Sequence, residues 1–287
     1  MSVGFQLENE FHIANGQMED SKTLFNREAR LFVKGAFGEL AAGRVGSLGS
    51  ASGSYDMFFA NGDAFDGGDQ VGTGFVVSDK LNNSLTYVSP NIAGAQVYAQ
   101  YSFSTVDAQK DKFNKNSRQW GLGATFTMDN FAVAGLVEQT LPVTDGVTTK
   151  PAKPITLGLG ANVTLDNLKL FGAVQYAKHI KEVNGVTDTF KFANAKNVAG
   201  TLGATYTMGQ NEFTVAGYLG HAKEADVAEK ATYMSLNGRY VYNLSARTSL
   251  YAGADYARLK SEVPTNTEVT KTHFNTFTVY TGLHHTF

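Results

Sequence analysis

Apolar residues alternate one for one with small or polar residues in segments of about 9–12 residues along the whole chain, and such a chain folds as β-sheet with one apolar and one polar face. In one segment Trp120, Leu122, Ala124, Phe126 and Met128 alternate with Gln119, Gly121, Gly123, Thr125 and Thr127. In another, Ile155, Leu157, Leu159, Ala161, Val163 and Leu165 oppose Thr156, Gly158, Gly160, Asn162 and Thr164. Leu202, Ala204, Tyr206 and Met208 repeat the pattern against Thr201, Gly203, Thr205 and Thr207.

The segment length is what a tilted strand needs to cross the hydrocarbon layer, whereas no stretch approaches the ~18–20 apolar residues of a helical span. Connections alternate between tight turns and long polar loops. The tight turns lie near Phe37-Gly38, Pro90-Asn91, Asp129-Asn130, Asp166-Asn167, Gly209-Gln210 and Asn243 to Ala246. The loops lie roughly at 14–26, 48–79, 104–117, 142–153, 178–197, 221–230 and 258–273. About fourteen antiparallel strands follow from this punctuation, an even number that puts both termini on the tight-turn side. The expected fold is all-β, an up-and-down transmembrane barrel occupying residues 1–287 as one domain. A soluble β-sandwich would also alternate, but the apolar faces here have no second apolar layer to meet. Aromatic residues also cluster near strand ends (Tyr87, Phe131, Phe213, Tyr240, Tyr242, Phe287), where interfacial girdles belong.

Composition narrows the function. The 30 Gly, 13 Tyr and 20 Phe against 5 Pro suit strands and turns. A net charge of -2 with scattered Lys and Arg offers no basic stripe for nucleic acid. With no cysteine, disulfides, thiolate metal sites and Cys nucleophiles are absent. The opening Met1-Ser2-Val3-Gly4-Phe5-Gln6 has neither the basic nor the apolar region of a signal peptide, so the sequence reads as mature, truncated or not exported. No nucleophile elbow, P-loop or dinucleotide fingerprint is found, which argues against an enzyme. No cofactor is expected. Asn61-Gly62-Asp63 through Asp69 lacks the spacing of a calcium loop, and His284-His285 points to opposite faces of a strand, so no metal is expected either. The lone Trp120 reads as a lipid-facing or girdle residue.

The segment 48–79 is far longer than an ordinary connection, and loops of that length tend to be functional. It carries Asp56, Asp63, Asp66, Asp69 and Asp79 and no Lys or Arg before Lys80. Arg27, Arg30, Lys34 and Arg44 on the preceding strands, Lys80 at the loop's end and, by alternation, Arg239 are candidates for a basic wall facing it. An acidic loop against a basic wall would set a transverse field across an aqueous passage.

Several blocks bring a family into view: Asn82-Asn83-Ser84-Leu85-Thr86-Tyr87-Val88-Ser89-Pro90 followed by Ile92-Ala93-Gly94 and Tyr98 to Ser104; Leu24-Phe25-Asn26-Arg27; Gly38-Glu39-Leu40 with Gly43-Arg44; Ser54-Tyr55-Asp56; and Leu244-Ser245 with Arg247 to Tyr251. Collinear over nearly the whole chain, they resemble the Gram-negative general diffusion porin family, especially its betaproteobacterial trimeric members. The resemblance implies passive passage of ions and small hydrophilic solutes across the outer membrane, with loops extracellular and termini periplasmic. It implies a homotrimer in contact with outer-membrane lipid and lipopolysaccharide. By position, 48–79 resembles the family's constriction loop, and Arg27 and Lys80 match residues that line the constriction, although Lys80 stands where the family often has Arg. Tyr280, Gly282, His285 and Phe287 resemble the C-terminal signal read by the outer-membrane assembly machinery. Family members usually open with two strands before a segment similar to Val3-Glu8, giving sixteen; here that segment follows Met1 directly, so the resemblance implies a shortened N-terminus that leaves barrel closure open. A substrate-specific channel would need an aromatic slide or a row of one charge, whereas inward positions are mainly Gly, Thr, Ser, Asn and Gln. A structural or adhesive barrel would need an occluded lumen.

Overall fold

The computed structural model describes residues 1–287 except 13, 21, 52, 66–71, 106–109, 149, 184–191, 226–228, 265–268 and 287. Fourteen strands form one antiparallel sheet in which every strand pairs with its sequence neighbours. They are β1 (Ser2–Glu8), β2 (Glu28–Gly35), β3 (Gly38–Gly46), β4 (Lys80–Val88), β5 (Ala95–Ser102), β6 (Arg118–Met128) and β7 (Phe131–Leu141). The second half comprises β8 (Ile155–Leu165), β9 (Leu168–Ile180), β10 (Ala195–Met208), β11 (Asn211–Glu224), β12 (Lys230–Asn243), β13 (Thr248–Pro264) and β14 (Val269–His285). The long β3–β4 connection contains one short helix, α1 (Phe59–Gly62). Among the described residues, no helix is long and apolar enough to cross a membrane.

The alternation of the sequence is the alternation of the sheet. Leu157 and Leu159 on β8, Leu202 on β10 and Leu219 on β11 are exposed on the outer face, while Thr156, Thr201, Thr205 and Thr214 on the same strands are buried on the inner face. Such an arrangement leaves large apolar groups outside for lipid and small polar groups inside. The tight turns are as short as expected. Asp129 and Asp166 open two of them at positive φ, a conformation that Asp tolerates better than most side chains. Both termini lie at this end, since Ser2 pairs with Lys34 and His285 with Thr248.

Closure, left open by the sequence, is not seen: β1 and β14 are not paired with each other, so among the described residues the sheet is open between them. The fold corrects one expectation. The expected loop at 258–273 is in large part strand: β13 and β14 run for 17 residues each, with Lys260 paired to His273 and Glu262 to Lys271, while strand takes only the edges of the expected loops at 178–197 and 221–230. A ladder of backbone hydrogen bonds needs no apolar face once it leaves lipid, so polar composition is a poor marker of where a hairpin ends. Ala132 and Ala134 are buried on the inner side of β7.

The core is unusual in position. Leu48, Met57, Phe58, Phe59, Phe65 and Phe75 of the β3–β4 connection are all at most 2% exposed and pack inside the sheet against Ala134, Leu136, Ala173, Ala199, Ala216 and Tyr218. The sheet is thus curled around its own loop, which touches strands from β1 to β12.

Candidate functional site: a loop docked in the sheet's interior

Residues 47–79 join β3 to β4, and the described ones among them lie along the inner wall. Inner-face glycines make room for them. A Cβ at Gly158 would lie 2.8 Å from the Phe58 ring, one at Gly160 would lie 3.0 Å from Gly62 Cα, and one at Gly220 would lie 2.9 Å from Gly74 Cα. Phe75 meets Phe58, Phe59 and Tyr218 edge-on at 5.5–6.3 Å between ring centroids. Burial of an aromatic side chain of this kind contributes about 1.5–3 kcal/mol, so the four phenylalanines are the loop's main apolar anchors and share with its polar contacts the entropic cost of ordering it.

Polar side chains on successive strands then pin the loop's backbone. Glu138 on β7 accepts from Gly49 N at 3.2 Å and from Ser78 Oγ at 2.9 Å, clamping both ends of the loop. Asn162 on β8 donates to Asn61 O at 2.8 Å, and Asn197 on β10 donates to Gly74 O at 2.8 Å. Gln175 on β9 accepts from Val76 N at 2.7 Å and donates to Val76 O at 2.8 Å. Arg239 on β12 donates to Ala64 O at 3.0 Å, with its guanidinium 5.0 Å from the Phe65 ring centroid.

The candidate charges divide into those that touch the loop and those that do not. Arg30 does. Its guanidinium donates to the Tyr55 hydroxyl, to Glu39 at 2.7 Å, to Glu28 at 3.2 Å and to Gln6 at 2.7 Å, and it stacks 4.8 Å from the Tyr55 ring centroid. Tyr55 in turn donates to Glu39. Burial and the neighbouring Glu39 carboxylate push the Tyr55 hydroxyl well above its ordinary value, against the opposing pull of Arg30. Glu28 also accepts from the Ser54 backbone and hydroxyl at 2.7 and 2.8 Å.

Among the described residues, Arg27, Lys34, Arg44 and Lys80 do not meet loop carboxylates across the interior. Arg27 lies 3.6 Å from Glu8 and 3.2 Å from Glu10, Lys34 lies 2.7 Å from Glu39, and Arg44 donates to Asn26 O and Asn82 Oδ1. Lys80 lies 3.7 Å from Asp79, whose side chain is 87% exposed. On the loop, Asp56 accepts from the backbone of Phe59 and Ala60 at the start of α1, and Asp63 accepts from Tyr218 at 2.6 Å. These two aspartates shape and seat the loop. Asp66 and Asp69 lie outside the described residues.

Sequence reasoning missed Glu28, Glu39, Glu138, Asn162, Gln175, Asn197 and Tyr218. The signal was available in strand parity: each occupies an inward position, and Glu138 interrupts the small and apolar inward series Ala132, Ala134 and Leu136. At the C-terminal end, Tyr280 and Gly282 face inward, where Tyr280 lies over Gly253 and Tyr251 over Gly282. His285 Nδ1 is 2.9 Å from Thr248 Oγ1, and Phe287 lies outside the described residues. Trp120 is on the outward side of β6, its indole 3.3 Å from Gln139 Oε1.

A curled antiparallel sheet with apolar exterior, polar interior and one long connection folded inward is the architecture of outer-membrane channels. The chain belongs to the Gram-negative porin family, whose model matches residues 1–262. Outer membrane porin protein 32 of Delftia acidovorans is 27% identical over 268 residues, covering 91% of this chain and 71% of that protein. Among solved structures, the anion-selective porin from Comamonas acidovorans has a TM-score of 0.64 at 22% identity, covering 99% of this chain and 84% of its own. A trimer form of OmpT from Vibrio cholerae has a TM-score of 0.59 at 15% identity, covering 90% and 80%.

Proposed function

We propose that this porin is a passive, weakly selective channel of the outer membrane in which the docked loop 47–79 forms the constriction. The observation that carries the reading is the loop's placement: aromatic burial and hydrogen bonds from β7 to β12 hold a long connection inside the sheet, where it narrows any aqueous path. Among the described residues, polar atoms of Ser235, Asn237 and Asp255 on the inner face of β12 and β13 have no protein partner, which suits a hydrated interior. The inward positions carry both signs, with Arg30 and Lys34 beside Glu28 and Glu39. Such a mixture tunes selectivity and does not build a binding site for one solute.

In this reading the tight turns and both termini face the periplasm, the longer loops face outward, and the native assembly is a homotrimer, as in the OmpT trimer form. Residues 1–287 act as a single domain. Tyr280, Gly282, His285 and Phe287 serve recognition by the assembly machinery. The constriction charges are led by Arg30, with Arg27, Lys34, Arg44, Lys80 and Arg239 on the wall and Asp56, Asp63, Asp66, Asp69 and Asp79 on the loop. The family and fold point to a channel rather than an enzyme. Planar-bilayer recording of the refolded chain tests the reading: ohmic steps that grow in proportion to salt, together with sugar uptake graded by size alone, are expected. Saturation by one solute would favour a specific channel, and a sealed bilayer would remove the channel reading.

A further inference from the structure

The strands sort charge by face. At inward positions the described strands carry Glu8, Glu28, Glu39, Glu138, Glu212 and Asp255, joined at the loop end by Glu224, against Arg30, Lys34, Lys169 and Arg239. On the other face, Lys196, Lys223 and Lys260 share the parity of the exposed Val198, Leu219 and Tyr256 of their own strands. The chain as a whole has a net charge of only -2, so this sorting, and not composition, makes the interior acidic. The balance holds without Glu138, which lies buried under the loop. It also holds when Arg27, Arg44 and Lys80 are added, because Glu10, Asp56, Asp63 and Asp79 come with them.

The inward cations of β2 are also fully engaged. Each nitrogen of the Arg30 guanidinium donates to protein: Nε to Glu28 at 3.2 Å, Nη1 to Glu39 at 2.7 Å and to the Tyr55 hydroxyl, and Nη2 to Gln6 at 2.7 Å. Lys34 lies 2.7 Å from the second oxygen of the same Glu39. An anion in the passage therefore meets no open guanidinium edge here, and an ion several ångströms away feels the sum of the cluster. That sum is negative, because Arg27, Arg30 and Lys34 are set against Glu8, Glu10, Glu28 and Glu39, with Glu8 directly opposite Glu28 across the β1–β2 ladder. At physiological ionic strength it acts over about 8 Å, and further where the walls exclude water. On the far wall Asp255 points inward, and one of its carboxylate oxygens has no protein partner among the described residues.

We propose that Glu28 and Glu39 determine the selectivity of this passage: by engaging Arg30 and Lys34 they leave the interior net negative, and the permeant class it favours is small cations. A cation entering is attracted by the uncancelled carboxylates, and an anion is repelled by them. The inference rests on the channel reading and adds the sign of the preference to it. That sign is opposite to the one in the name of the anion-selective porin from Comamonas acidovorans.

The test is the reversal potential of the full chain, refolded into planar bilayers of zwitterionic lipid, under a potassium chloride gradient. In dilute salt potassium should permeate about twofold or more over chloride, and the preference should shrink toward about 1 M salt, as the Debye length falls from about 10 Å to about 3 Å. Glu28→Gln with Glu39→Gln should move the permeability ratio toward chloride by about twofold or more. Glu8→Gln, which among the described residues meets Gln6 and Arg27 and no residue of 47–79, should move it the same way by less. Replacing the outward Lys196, Lys223 and Lys260 with Gln alters net charge by more than the Glu28 and Glu39 pair and should leave the ratio unmoved. An open channel that favours chloride, or that has no preference in dilute salt, overturns the proposal and leaves the channel reading standing. A sealed bilayer removes both. An unmoved reversal potential in the folded Glu28 and Glu39 variant also overturns it. Where that variant's conductance changes, so that the loop has shifted, Glu8→Gln decides: a shift toward chloride supports the proposal and no shift overturns it.

Discussion

Strands β8–β11 meet the loop through uncharged groups, glycines at 158, 160 and 220 and amides at Asn162, Gln175 and Asn197, whereas β2 and β3 meet it through charge, with Arg30, Glu28 and Glu39 around Ser54 and Tyr55. The difference separates two tasks. Contacts without net charge fix where the loop lies and make no demand on passing ions. Partly buried charges hold it less economically, since desolvation offsets much of their attraction, but they set a field at the passage. Position and selectivity should therefore be separable by mutation.

The largest effect is expected where backbone meets backbone. Gly160→Phe forces a side chain into Gly62, where no flexible group can yield, so the loop should unseat and single-channel conductance rise by about twofold or more. Unchanged conductance in a folded variant would break the distinction. Glu138→Leu should act next, leaving Gly49 N–H without its acceptor at a cost of about 1–3 kcal/mol. Limited proteolysis within 47–79 should speed up while reversal potential hardly moves.

On the charged side, Arg30→Ala should shift the reversal potential in a salt gradient toward cations, because Glu28 and Glu39 remain. Arg30→Lys should fall between, since an ammonium cannot reproduce the fork that spans Tyr55, Glu39 and Gln6. Tyr55 adds a pH signature. Its hydroxyl is held above the usual value of about 10 in the folded chain, so its contribution to seating is complete below pH 10 and is lost as pH rises through the raised value. Proteolysis of the loop should therefore be flat with pH up to about 10 and accelerate above it, and Tyr55→Phe should remove that rise. The smallest effect belongs to Arg27→Ala with Lys80→Ala. Arg27 has Glu8 and Glu10 beside it and Lys80 faces an exposed Asp79, so salt screening should leave only a slight shift toward cations.

Much of the sheet was readable because a strand in lipid imposes parity on every residue. Phe126, Leu157 and Leu159 could be assigned outward from sequence, and Asp129-Asn130 and Asp166-Asn167 as turns. The loop's contacts were less readable because a docked loop reuses the parity rule. Gly158 and Gly160 look like generic lumen positions until the backbone of 58–62 is laid over them. Asp56 and Asp63 looked like members of an acidic face, yet one serves α1 and the other Tyr218, pairings 3 and 155 residues apart that no local pattern announces. The polar hairpin ends of β13 and β14 misled because composition reports the solvent and not the pairing.

The central claim, that the docked loop lines the conducting path, is tested most directly by chemical modification during single-channel recording. The chain has no cysteine, and Ala60 is exposed on α1, so Ala60→Cys supplies a unique thiol on the loop. Addition of a bulky, water-soluble thiol reagent should lower the current of this variant in discrete steps and leave the unsubstituted chain untouched. Complete labelling of the introduced thiol, verified by mass, with no change in current would contradict the account.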